Sequence, residues 1–133
     1  LKVHGHVMQV WRTGPEARNA TDALVIADAM HCLHRYHVDQ LAYFLERLAH
    51  TPDGDGTLLD AVTLLYGCGI SDSNLHTHDN LPIILAGKGG GAFQPGTYIK
   101  ARRTPVTNLF LSMADAMGTE IGAHGDSTGR FDI

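Results

Sequence analysis

The first limits on this chain come from what it has little of. No apolar run approaches the ~18 residues that a membrane-crossing helix needs, so a transmembrane helix is excluded. Charged residues are only 18% of the chain, below the ~25% of an ordinary domain, and hydrophobic residues reach 44%, which excludes extended disorder. Ten Lys and Arg stand against fourteen Asp and Glu, for a net charge of -4, and this excludes a general nucleic-acid binder. Two cysteines, Cys32 and Cys68, cannot staple a disulfide scaffold, although one bridge between them stays open. The start shows no charged stretch followed by an apolar one, hence no export signal. Its first residue is Leu1 rather than Met, which reads as a chain that is processed, trimmed or part of something longer.

Two residue types are plentiful. Nine histidines are roughly three times an average share and raise the prospect of metal or acid–base chemistry. Fifteen glycines cluster rather than scatter. At 133 residues the chain is one domain or part of one.

Residues 1–20 give an uncertain N-terminal segment, in which Val3 to Trp11 reads as one short strand. Residues 21–133 read as part of a single α/β domain. Thr21 or Asp22 can cap a helix whose apolar stripe runs through Ile26, Met30, Leu33, His37, Leu41, Phe44 and Leu48. With no Pro or Gly before Pro52, it should end near His50, with a break around His34 as an alternative. The segment 51–56 is a turn whose Asp53 and Asp55 resemble half a calcium loop but lack its later Glu. Apolar segments 61–70 and 81–87 read as strands of a sheet covered on both faces, and 97–102 as a short alternating strand. A final helix starts with Thr104 as N-cap and Pro105 in its first position. It buries Val106, Leu109, Phe110, Met113 and Met117 and stops at Gly118. The tail from Glu120 reads as extended. Together these elements predict a small, mostly parallel sheet flanked by helices.

The richest place for chemistry is the loop between the two apolar strands. Ligands of α/β sheets bind outside the carboxyl ends of strands. Here Asp72 follows a strand, and His76 and His78 follow at i and i+2 spacing, with Asp79 next. Imidazole nitrogen and carboxylate oxygen suit zinc and related divalent ions, so Asp72, His76 and His78 are candidate metal ligands. The bland alternative is a surface loop whose Asp and Asn residues cap turns. His31, His34 and His37 lie on the long helix, where one buried and two exposed histidines explain the spacing better than a shared ion. His4 and His6 form a further His-x-His pair. Lys88 precedes Gly89–Gly91 with no helix after it, which is not a phosphate-binding P-loop. Arg102 and Arg103 flank a helix start, a fair place for an anion.

Several segments taken together resemble a bacterial family of unknown function named for an HXXSHH motif. They are Arg35–Leu45, Gly54–Asp60, Ser71-Asp72, and His76 through Pro82. They continue with Leu85–Gly87, Thr104-Pro105, Asn108-Leu109, and Gly125–Gly129. The resemblance runs from about Tyr36 to the C-terminus. The HXXSHH motif itself is not found; His4–Gln9 sits roughly where it is expected and does not match. That family is similar to the alkaline phosphatase and sulfatase superfamily. The resemblance implies the C-terminal part of an alkaline-phosphatase-like domain, with Asp72 and His78 or His76 as metal ligands. It also implies hydrolysis of phosphate or sulfate esters by the parent protein, and an exported, periplasmic or secreted location. The resemblance further implies that the nucleophile belongs to an N-terminal half outside the residues that carry it. The competing expectation is a non-catalytic extracytoplasmic domain that keeps the fold for binding or structure.

Overall fold

A computed structural model describes residues 20–72, 75–101 and 103–132, with helix side chains from Asp28 onward. The expected strand at Val3 to Trp11, with His4 and His6, lies outside the described residues. Helix α1 is Ala20–Ala49 and runs unbroken through His34. No Pro or Gly interrupts its backbone ladder, so nothing forces a break. Pro52 disfavours helical backbone in the residue before it. Thr51 closes the end, its hydroxyl donating to the Arg47 carbonyl at 2.7 Å. The expected stripe is only half-buried: Met30, Leu33, Leu41 and Leu48 are partly covered, while His37 and Phe44 are exposed and Leu45 shares the covered face.

The chain divides into two compact units, Leu1–Glu46 with Gly67–Ile83 and Arg47–Tyr66 with Ile84–Ile133. In the second, β1 (Pro52–Asp53) pairs antiparallel with β2 (Gly56–Thr57) across the turn Gly54-Asp55, where Gly54 takes φ +57°. Helix α2 (Leu58–Ala61) follows at once. Strands β3 (Leu64–Gly67) and β4 (Ile83–Ala86) form a second two-stranded sheet. Both lie inside the apolar segments expected to be strands.

The sheets correct the expected parallel arrangement: both are antiparallel. Parallel neighbours need a crossover, usually helical, to bring the chain back to the same end. Here 68–82 holds no helix among its described residues and turns back on itself. Gly67 therefore lies against the Pro82 carbonyl and Ile83, and Gly87 against Val62. The expected strand 97–102 is also corrected. No regular structure forms over 97–101, and each of those residues is exposed. Alternation alone does not hold a strand that has no neighbour to complete its ladder.

Asp60 ties the second unit together locally. Its Oδ2 accepts from the Thr57 amide at 2.9 Å and the Thr57 hydroxyl at 2.8 Å, and its Oδ1 meets Lys88 Nζ at 2.7 Å. The Lys88 ammonium first, and the Thr57 donors second, lower its pKa from 3.8 to about 2. A depressed folded pKa favours folding above the ordinary value and loses that contribution as the pH falls through the folded one. Asp60→Asn should therefore remove part of the acid sensitivity of stability between pH 3.8 and about 2. Urea midpoints measured across that range for both proteins check this; parallel curves would contradict it.

Helix α3 is Val106–Ala116, beginning one residue after the expected start, with Pro105 as its N-cap at ψ 139°. Its end is as expected from Gly118. The Gly118 amide donates to the Asp115 carbonyl and the Thr119 amide to the Ala114 carbonyl, both at 2.9 Å, with Gly118 at φ +74°. The buried stripe is shifted, however. Among the described residues Leu111 is the most deeply buried side chain and Asn108 is 5% exposed, whereas Phe110 and Met117 are exposed.

The reason is the tail, which is not simply extended but is clipped along α3. Asn108 Oδ1 accepts from the Thr128 amide at 2.8 Å, and its Nδ2 donates to the Thr128 hydroxyl at 3.1 Å. The Phe131 amide donates to Ser112 Oγ at 2.8 Å, and the Ser112 hydroxyl donates to the Phe131 carbonyl at 2.7 Å. Arg130 grips Asp115 through two nitrogens at 2.8 and 3.0 Å. Among the described residues, the buried apolar side chains are Phe93 and Leu111, and only Leu111 is fully buried.

Candidate functional site

The loop 68–82 leaves β3 and returns into β4, and its geometry comes from its short polar side chains. The Ser71 amide donates to the Thr77 carbonyl at 3.0 Å, and the Ser71 and Thr77 hydroxyls lie 2.9 Å apart. This clasp makes Asp72 and Thr77 an antiparallel bridge. Asp72 Oδ1 accepts the Leu75 amide at 3.0 Å, the turn-capping use of an Asp carboxylate. The turn leaves His76 at φ +55°, and Asn80 takes φ +54° beyond it. Both lie in the left-handed region, which non-glycine residues seldom occupy.

His78 is held differently. Its Nδ1–H donates to the Gly69 carbonyl at 2.6 Å. A carbonyl oxygen can only accept, so this bond places a proton on Nδ1, and in the neutral ring the lone pair is then on Nε2. Histidines that ligate metals are commonly oriented in this way, through the opposite nitrogen and a backbone carbonyl.

The three candidate ligands thus share one exposed loop with different duties. Asp72 shapes the turn, His76 sits at its strained corner, and His78 is pinned at its base. Among the described residues, no group of three or more His, Cys, Asp or Glu gathers closely enough to hold a metal ion. On α1, His31, His34 and His37 are all exposed, and His37 lies edge-on to Tyr36 with ring centroids 5.8 Å apart. The expectation that His37 is buried is thereby corrected. Cys32 and Cys68 are both free and exposed, so the bridge left open by the sequence is not formed. No described helix is long and apolar enough to cross a membrane.

Two features were given no structural role in the sequence reading. The Gly69 carbonyl carries no side-chain signal at all. Asn108 did carry one: it is a polar residue inside the apolar face of α3, three and four residues before Leu111 and Ser112. No family model matches the chain, nor does any curated protein or solved structure.

Proposed function

We propose that this chain is the C-terminal part of an exported, metal-dependent hydrolase of phosphate or sulfate esters, with an alkaline-phosphatase-like fold. Its 68–82 loop contributes metal ligands. His78 ligates through Nε2, and Asp72 and His76 are the candidate further ligands from the same loop, although they are not gathered with it among the described residues. The observation that carries this reading is the 2.6 Å bond from His78 Nδ1–H to the Gly69 carbonyl. It fixes the tautomer that a metal-binding imidazole needs. A divalent ion such as zinc, when bound, would supply Lewis acidity toward an ester oxygen. The chain's own contribution is to orient the imidazole and, in the neutral ring, to place the proton on Nδ1. The segments resembling the HXXSHH family support the same reading.

A zinc titration of the purified chain, followed by calorimetry, tests it. His78→Ala should weaken binding at least about tenfold, and Asp72→Asn by less, because Asp72 also holds the turn. Equal zinc affinity in the wild-type and His78→Ala chains would contradict the proposal. Hydrolysis of p-nitrophenyl phosphate and p-nitrophenyl sulfate by the parent protein then tests the reaction. The second reading, a non-catalytic extracytoplasmic binding or structural domain, is favoured by the Asp72 carboxylate serving the Leu75 amide. Zinc binding without ester hydrolysis is the outcome that selects it.

A further inference from the structure

One stretch of the chain has a charge unlike the rest. No Asp or Glu occurs between Asp79 and Asp115, while Lys88, Lys100, Arg102 and Arg103 all do, in a chain of net charge -4. Lys88 is engaged with Asp60. Among the described residues, neither Lys100 nor Arg103 forms an ion pair. Every described residue from 94 to 104 is exposed. Within that stretch Tyr98 is 89% exposed and Ile99 47%. Arg103 sits at φ +50°, a costly backbone for a long side chain. The start of α3 does not belong to this surface, because Thr107 there already donates to the Asp126 carboxylate at 2.7 Å.

We infer that segment 94–104 binds a sulfated polysaccharide, with Tyr98 as the platform for a sugar ring and Lys100 and Arg103 as the sulfate contacts. Tyrosine offers a large, rigid, amphipathic face at low entropic cost, and a sugar ring has an apolar C–H face that fits it. A guanidinium engages two oxygens of a sulfate at once, and an ammonium acts as a compact point charge. Nucleic acid fits less well. It carries a charge every ~1.7 Å and its binders often neutralise about 6–10 phosphates, whereas this segment offers two described cations and Arg102. An acidic peptide brings the charge without the ring. The choice of a sulfate-bearing partner rests on the ester-hydrolase reading, while the surface itself does not.

Affinity electrophoresis of the chain in gels containing dextran sulfate, dextran, polyglutamate or oligothymidylate, at about 0.15 M salt, tests the inference. Dextran sulfate should retard the chain, and neutral dextran should not. Tyr98→Ala and the double variant Lys100→Gln/Arg103→Gln should each weaken retardation by about tenfold. The double variant Arg35→Gln/Arg47→Gln, an equal charge change at exposed positions of α1, should leave it unaltered. No retardation by dextran sulfate would overturn the inference. So would equal retardation of the Tyr98→Ala chain, or retardation by polyglutamate or oligothymidylate as strong as by dextran sulfate. Circular dichroism confirms that the variants fold. Zinc affinity of the same variants should stay at the wild-type level, and His78→Ala should keep its retardation, so failure of the metal reading and failure of this one are distinguishable.

Discussion

Gly87→Ala is expected to be the most damaging single substitution in the chain. Gly87 has φ +91°, and a Cβ built there would collide with the Val62 carbonyl oxygen and crowd the Leu59 carbonyl oxygen at 3.2 Å. Neither obstacle is the movable end of a side chain. Both are backbone, and the turn beside them is held by the Lys88 amide to the Leu59 carbonyl and the Gly89 amide to the Val62 carbonyl. Relief of the clash breaks those bonds, so the loss should be about 3 kcal/mol or more. Gly90→Ala is the control: φ is +67° but nothing lies within 4 Å, so the cost should be about 1 kcal/mol, that of left-handed backbone alone. Urea denaturation followed by far-ultraviolet circular dichroism separates the two. Equal midpoints for the two variants would show that Gly87 is chosen for conformation and not for space.

Asn108→Ala should have the second largest effect, about 2 kcal/mol. The substitution removes two hydrogen bonds to Thr128 at a position only 5% exposed, and it leaves the Thr128 amide without its acceptor. Asn108→Asp should recover part of the loss, since its carboxylate still accepts that amide. Hydrogen exchange gives the sharper readout, because the Thr128 and Phe131 amides should lose protection together as the tail comes away from α3. If protection at Phe131 survives Asn108→Ala, then Ser112 holds the tail independently.

What could be read ahead of the structure follows from the range of the forces involved. The two long helices were legible to within a residue or two because their signals are local: an uninterrupted ladder before Pro52, and Gly118 past the end of α3. The positions of β3 and β4 were legible because each is a short apolar run between turn residues. Their direction was not, since it depends on how 68–82 returns, and that is set by the Ser71–Thr77 clasp. The segment 97–102 has the alternation of a strand but no partner to pair with, and period alone cannot reveal that. The stripe of α3 was misplaced toward Phe110 because a buried asparagine is not counted as core until its bonds to the tail are seen. At the candidate site, Asp72, His76 and His78 were legible from residue type and spacing. The pinning of His78 was not, as its partner is a backbone carbonyl.

The clipped tail also bears on how quickly this part of the chain can assemble. Its bonds to α3 join residues 15 to 20 apart in sequence. Closing a loop of that length has a chain-length cost of only about 2.7 kcal/mol, and the helix supplies one rigid side in advance. Short-range assemblies of this kind search few wrong conformations. The helix and its strap can therefore come together early and offer a finished surface to the segments that must travel farther.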